Sequence, residues 1–370
     1  MRRVARIVLA VICVLGGALW LFLNQPRFGA TPTGARLERI RKSPNFRNGE
    51  FQNLLPTPVM TGDKGGLKSL LEFAFNGNKR LRPAGPIPSV KRDLLHLPSG
   101  ENVLVWFGHS SYFIQADGKR ILVDPVLNGR AGPVPFSTKA FDGTDVYTAA
   151  DIPAIDYLFI THDHCDHLDY DTVTKLRPKV KMVICGLGVG AHLERWGYAK
   201  DAIAEGDWGD KIELGDGFTA YVLPARHFSG RGARPNMTLW ASFALKTSSG
   251  YKIYMSGDTG YGPHFKKIGR DFDGFDLALL ECGQYDPSWK YIHMMPEETL
   301  RAAEDLHAAL VLPGHNSKFC ISNHDWDSPL RTITAIARKS RVRLITPVIG
   351  SVVDLRDPVA RFDEWWAKVR

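Results

Sequence analysis

Four residue types that bind metals or move protons crowd into one short run, Thr161-His162-Asp163-His164-Cys165-Asp166-His167. Imidazole and carboxylate groups suit Zn, Mn or Fe, and alternate residues of an extended segment point the same way. His162 and His164 can therefore grip one ion together, while Asp166 and His167, on the turn beyond, can reach a second. Three His and their neighbouring carboxylates, packed behind the apolar stretch Tyr157–Ile160, would repel and crowd one another without a cation to hold. Cys165 should point away from the ions on the same alternation argument, so it is not expected to ligate.

The same arrangement recurs downstream, where apolar runs end in loops that carry His, Asp or Glu. Val180–Ile184 precedes Gly186, Phe218–Leu223 precedes His227, Tyr251–Met255 precedes Asp258, and Phe275–Leu280 precedes Glu281. Strands would thus deliver side chains to one rim. Asn102–Gln115 and Arg120–Val126 read as two strands around the hairpin signal Ala116-Asp117-Gly118. Pro296–Ala309 reads as a helix, with Pro in its first turn, Glu297 and Glu298 near its positive end, and Leu300, Ala303, Leu306 and Leu310 at helical spacing. Strands mixed with helices along the whole body predict an α/β architecture with helices on the outer faces.

With these segments in view the chain resembles the metallo-β-lactamase superfamily, whose H-x-H-x-D-H signature is met by His162, His164, Asp166 and His167. His227, Asp258 in Ser256-Gly257-Asp258-Thr259-Gly260, and His315 in Leu312-Pro313-Gly314-His315 follow in the family's order, and Asp124 stands in the place of its structural aspartate. The resemblance implies an αβ/βα four-layer sandwich. It also implies two divalent metal ions, Zn first and Mn or Fe as alternatives, with His162, His164 and His227 on one, Asp166, His167 and His315 on the other, and Asp258 bridging them. A shared carboxylate and a shared hydroxide would offset the repulsion of the two dications and lower the pKa of the bound water.

Within that superfamily the chain looks most like the branch of N-acyl-phosphatidylethanolamine phospholipase D and the ascorbate-6-phosphate lactonase-like proteins. The blocks that carry this likeness are Ser43-Pro44-Asn45-Phe46-Arg47-Asn48-Gly49, Gly108-His109-Ser110-Ser111, the run after Gly257, and Tyr291-Ile292-His293-Met294-Met295-Pro296-Glu297-Glu298. The branch implies that His293 lies near the substrate phosphate. The candidate catalytic residues are then Asp166, which doubles as a ligand, and His293, for which capping the Pro296 helix is the competing role. His109 is expected to be buried and hydrogen-bonded. Arg226, Arg231 and Arg234 either face an anionic substrate or lie in an exposed loop. His96, His192, His264, His307 and His324 are read as surface or packing residues.

The apolar run Ile7–Leu23 follows Arg2, Arg3 and Arg6 and is just long enough for a hydrocarbon core of about 30 Å. Trp20-Leu21-Phe22-Leu23 offers no small-x-small cleavage site, so an uncleaved anchor is preferred to a cleaved signal or a core helix. Residues 1–24 are thus read as a transmembrane anchor, 25–90 as an irregular basic lead-in, and 91–370 as the hydrolase domain. The flanking Arg residues place the body in the periplasm, outside the inner membrane of a Gram-negative cell.

The five Cys (Cys13, Cys165, Cys185, Cys282, Cys320) form no C-x-x-C pair, which argues against a disulfide framework or a zinc ribbon. A net charge of +8 suits an anionic membrane surface as well as nucleic acid, and the anchor and the lack of an added nucleic-acid domain argue against the latter. The expected function is phosphodiester hydrolysis on a membrane phospholipid. The alternatives are a lactonase or esterase acting on a small soluble, anionic substrate, and a non-catalytic metal-binding protein.

Overall fold

A computed structural model describes residues 2–61, 78–134, 137–232, 234–357 and 363–369. Part of the lead-in, 62–77, lies outside them. The first helix, α1 (Arg2–Leu23), holds an apolar window Arg6–Leu23 of mean hydropathy 2.4, none of it buried against the body. Beyond it the lead-in is more ordered than its composition suggests. It forms α2 (Gly34–Arg41) and a small hairpin of β1 (Phe46–Arg47) and β2 (Glu50–Phe51). Ile40 and Phe51 are buried against Leu187, Leu239 and Trp240, so the lead-in completes the core of the body.

Two sheets build that body. The larger contains β3 (Val103–Trp106), β4 (Tyr112–Ala116), β5 (Lys119–Val123), β6 (Ile155–Ile160), β7 (Val180–Gly186), β8 (Ile203–Gly206) and β15 (Val352–Asp354), in the order β15-β3-β4-β5-β6-β7-β8. Pairing is antiparallel from β15 to β5 and parallel from β5 to β8. The second sheet runs β14 (Val311–Gly314), β13 (Leu277–Glu281), β12 (Lys252–Met255), β11 (Ser242–Lys246), β10 (Phe218–Leu223), β9 (Lys211–Gly215), parallel only among β12, β13 and β14.

Alternate residues explain the layering. Phe218, Ala220 and Val222 of β10 face Ile114, Tyr157 and Phe159 of the other sheet in one shared core. The outer face of the larger sheet packs Leu158, Ile160 and Val183 against Val173 and Leu176 of α3 (Tyr170–Leu176) and Leu193 of α4 (Gly190–Arg195). The outer face of the second packs Tyr254, Ala278 and Leu280 against Phe265 and Ile268 of α5 (His264–Phe272) and Ala302 and Ala303 of α6 (Pro296–Asp305). With both faces covered, each sheet hides apolar side chains on both sides, and the result is the four-layer αβ/βα sandwich. Helix α6 ends at Asp305, earlier than its apolar spacing predicts, and α7 (Ser328–Ala337) packs beside it.

One expected strand is two. Asn102–Gln115 breaks at Gly108 (φ 82°) and His109 (φ 53°), which reverse the chain between β3 and β4. The next turn is the expected hairpin, with Asp117 (φ 47°) and Gly118 (φ 76°) both left-handed as a two-residue turn requires.

Candidate metal centre

Each candidate ligand lies just past a strand. Thr161 and His162 follow β6, His227 follows β10, Asp258 follows β12, and His315 follows β14. The loop after β6 is fixed by buried Asp124. Its Oδ1 accepts the Thr161 amide at 2.8 Å, and its Oδ2 accepts the Thr161 hydroxyl at 2.6 Å and lies 2.8 Å from His167 Nδ1. Asp169 caps α3 by accepting the Thr172 amide at 2.8 Å, which ends the loop.

Three imidazoles converge first. His162 Nε2 lies 2.9 Å from His164 Nδ1, which lies 3.3 Å from His227 Nε2. His227 Nδ1 donates to the Ile292 carbonyl at 3.0 Å, leaving Nε2 to the cluster. Nitrogens about 3.3 Å apart are what a tetrahedral ion with Zn–N bonds of about 2.0–2.1 Å needs. The second group brings donor atoms of His109, Asp166, His167 and His315 within 4.8 Å of one another. Asp258 stands between the groups. Its Oδ2 is 3.9 Å from His162 Nε2 and 3.8 Å from His227 Nε2, while its Oδ1 is 3.1 Å from both His167 Nε2 and His315 Nδ1.

These residues fit a pair of cations. His167 Nε2 and Asp258 Oδ1 are buried 3.1 Å apart, yet neither makes a well-aligned hydrogen bond among the described residues, a costly arrangement unless something else satisfies them. Burial, reinforced by the neighbouring imidazoles, holds His162, His227 and His315 well below the usual histidine range, in the neutral form that ligation requires. His167 goes the other way. Burial opposes its charge, but Asp258, Asp166 and Asp124 raise its pKa well above the usual value, so a proton there does part of what a cation would do. Burial pushes the Asp258 carboxyl up to about 6 despite His167, whereas His167 and His109 overcome burial to hold Asp166 low.

His109 is buried, as expected, with Nε2 2.9 Å from Asp166 Oδ2. His293 lies beside the cluster, its ring centroid 5.1 Å from that of His227 and 5.2 Å from that of His315. Its Nδ1 is 2.9 Å from Oε2 of Glu281, a fully buried carboxyl that the sequence placed at a strand end on the rim without giving it a role. Burial drives Glu281 up and His293 down, against which two backbone amides, Met294 and Thr259, donate to the carboxyl group. A second overlooked residue is His192, which contacts Asp163 rather than merely packing. Both partners are distant in sequence, so no local spacing marks them. Cys165 belongs to neither ligand group among the described residues, and burial raises its thiol pKa.

Of the arginines near His227, Arg231 and Arg226 fit neither expectation, and Arg234 lies exposed. Arg231 is buried and donates to the carbonyls of Asp163, Leu168 and Arg27, bracing the loop from behind. Arg226 donates to Pro56, Thr57 and Tyr261 and lies over the Tyr291 ring. A cavity of about 220 Å³ opens onto His164, Asp166, His227, Asp258, His293 and His315. Val59, His227 and Phe228 also line a neighbouring groove of about 430 Å³ under the lead-in. A larger cavity, about 1230 Å³, sits on the outer side of the second sheet against α5 and touches none of the ligands.

This sandwich, with a His/Asp cluster suited to metal at the strand ends, defines a metal-dependent hydrolase. The chain belongs to the metallo-β-lactamase superfamily: the Beta-lactamase superfamily domain matches residues 119–316. It is 38% identical to an uncharacterised protein of Mycobacterium tuberculosis (strain ATCC 25618 / H37Rv), over 88% of each chain. It is 32% identical to N-acyl-phosphatidylethanolamine-hydrolyzing phospholipase D 1 of Caenorhabditis elegans, over 58% of this chain and 63% of that one. Among solved structures, Igni18, a metallo hydrolase of the archaeon Ignicoccus hospitalis, shares the fold with a TM-score of 0.53 at 22% identity, over 68% of this chain and 97% of that one.

Proposed function

We propose that the protein hydrolyses a phosphodiester bond of a membrane phospholipid, of the N-acyl-phosphatidylethanolamine kind named for its nematode relative. The observation that carries this reading is the single cavity onto which both ligand groups, the shared Asp258 and His293 open. His162, His164 and His227 would hold one cation and Asp166, His167 and His315 the other, with Asp258 placed between the two groups. Zinc suits so imidazole-rich a set, with manganese and iron as the alternatives. When bound, two such cations polarise phosphoryl oxygens and make water nucleophilic at neutral pH. His293 protonates the departing headgroup oxygen, and Phe228, Trp289 and Ile292 wall the reacting centre from bulk water.

A lipid is favoured over a small soluble ester by two features. Leu54, Leu55, Val59 and Met60 are exposed apolar residues lining the active-site cavity or the groove beside it, and they offer a seat for acyl chains. Helix α1 is long and apolar enough to tether the enzyme in the bilayer that holds such a substrate. With Arg2, Arg3 and Arg6 on the cytoplasmic side, the body stands in the periplasm.

The test uses full-length, zinc-loaded protein in vesicles containing N-acyl-phosphatidylethanolamine, with release of phosphatidate and the headgroup alcohol as the signal. A parallel panel holds lactones and carboxylic esters. His293→Ala should keep both metals and lose about 10²–10⁴-fold in turnover. Lactone cleavage with no phosphodiester cleavage would replace the proposal with the lactonase reading.

A further inference from the structure

Glu281 closes β13, and its side chain is fully buried; it stands outside both proposed ligand sets, although its carboxyl group, His293 and the ligands Asp258 and His315 bring donor atoms within 4.8 Å of one another. Oε1 accepts the Met294 amide at 2.6 Å, the Thr259 amide also donates to the carboxyl group, and Oε2 faces His293 Nδ1 at 2.9 Å. The carboxyl group therefore ties the loop that carries Asp258 to the loop that carries His293. Its place is fixed in turn: its own amide donates to Ser256 Oγ at 2.9 Å, and its carbonyl accepts the Thr299 hydroxyl at 2.9 Å. Hydrogen bonds on every side leave it one orientation.

An imidazole held at Nδ1 by a carboxylate has its other nitrogen free on the opposite side of the ring. His293 lines the reaction cavity, so that free nitrogen serves the substrate. We propose that Glu281 is the positioning residue of His293: it accepts the Nδ1 proton, sets ring orientation and tautomer, and balances the charge His293 carries when it is ready to protonate a leaving group. The proposal rests on the general-acid reading of His293. Water forms the new bond to phosphorus as the headgroup P–O bond breaks; the proton goes from His293 Nε2 to the departing oxygen, the ring is left neutral with its Nδ1 proton, and the product alcohol leaves. The proton lost by the attacking water balances the one His293 gave up and returns Nε2 to its protonated state.

Glu281→Gln tests the pairing with little change of shape. The Met294 and Thr259 amides claim the glutamine carbonyl, so its NH₂ turns toward His293, and a donor there forces Nδ1 to become an acceptor. In full-length, zinc-loaded protein, ¹⁵N spectra should show His293 protonated at Nδ1 in the wild type and unprotonated there in the variant. The variant should keep both zinc ions and its KM while kcat falls roughly 10²–10³-fold. It should add nothing to the loss already caused by His293→Ala, and Glu281→Asp, which retains a carboxylate, should recover part of the rate.

An unchanged His293 tautomer in Glu281→Gln, or losses that multiply in the double variant, would overturn the pairing. So would loss of zinc in both Glu281→Gln and Glu281→Asp, which would make Glu281 a structural or ligating group. The ¹⁵N and zinc measurements need no substrate. A wild type that cleaves no phosphodiester therefore sinks the functional reading and leaves the Glu281 pairing to its own result.

Discussion

His192 Nε2 lies 3.2 Å from Asp163 Oδ2, and the other nitrogen of the same ring accepts the Ala30 amide at 2.9 Å. The acceptor role at Nδ1 puts the ring proton on Nε2, so His192 donates to Asp163. Asp163 sits between His162 and His164, and it also accepts the Gly230 amide at 2.8 Å and the Thr238 hydroxyl at 2.9 Å. His192, with His164 and the Gly230 amide, overcomes burial and holds its carboxyl well below the usual range. The lead-in therefore reaches the metal loop through two hydrogen bonds.

This contact separates two truncations. Removing residues 1–23 takes away an exposed helix and should leave a soluble, folded protein with its metals and its activity on detergent-dispersed substrate. Removing residues 1–32 also removes the Ala30 amide and the Arg27 carbonyl that Arg231 holds at 3.0 Å. Each buried partner left unsatisfied costs about 1–3 kcal/mol, so the longer truncation should melt lower and bind zinc more weakly. Equal melting temperatures for the two would show that the lead-in does not brace the loop.

The ligand geometry predicts unequal losses. Asp258 has one oxygen toward each group, whereas His227 approaches only the three-imidazole group. Asp258→Ala should therefore release both metals, and His227→Ala mainly one. Metal analysis after dialysis against the same buffer decides it. Full retention in Asp258→Ala would remove the bridge.

Much of this centre was legible because a strand end is a local feature. The apolar runs before His162, His227 and Asp258 show where each side chain emerges, and the strands Phe218–Leu223 and Tyr157–Ile160 fall where their composition places them. The break at Gly108-His109 did not show, because β3 and β4 are buried on both faces and no polar alternation marks their ends. The roles of His192 and Glu281 were hidden for another reason: Glu281 showed only as one more strand end, and the partners of both are supplied by tertiary packing. Arg231 was misread because its clustering with Arg226 and Arg234 says nothing of the carbonyls that surround it once the loop folds.

Lys318 predicts a pH effect outside the metal centre. It is buried, its ammonium donates to the Val126 carbonyl at 2.9 Å and the Phe107 carbonyl at 3.3 Å, and burial lowers its pKa from 10.5 to about 8, with Asp145 opposing the shift. Between these two values the unfolded chain keeps a proton that the folded chain has lost, so stability rises with pH across that window. The penalty, of about 3 kcal/mol at most, is fully present below pH 8. Lys318→Met removes the titration and strands the two carbonyls at every pH. Urea melts at pH 7.5 and pH 10 should show wild type gaining on the variant by up to about 3 kcal/mol. Parallel pH profiles would mean that Lys318 keeps an ordinary pKa.

Gly260 joins the bridging loop to the loop of His293 by absence of a side chain. A Cβ built there would lie 1.9 Å from the Tyr291 carbonyl oxygen and 2.3 Å from its carbon, both backbone atoms that no rotamer change can move. The Gly260 amide donates to the Arg226 carbonyl at 2.8 Å, which holds its own loop in place, so the segment around Tyr291 has to yield. Overpacking of this kind costs about 1–3 kcal/mol where the surroundings can relax. Gly260→Ala should therefore lower stability by about that amount. Any shift of Tyr291 moves His293, two residues on, away from Glu281 and the cavity, and a misplacement of about 1 Å near reacting groups can cost about 10²-fold in rate. The ligand His315 lies on another loop, so turnover should fall further than metal content does. The measurements are melting temperature, zinc content and turnover of the same preparation, and a variant with wild-type turnover per folded molecule would show that His293 does not depend on this close approach.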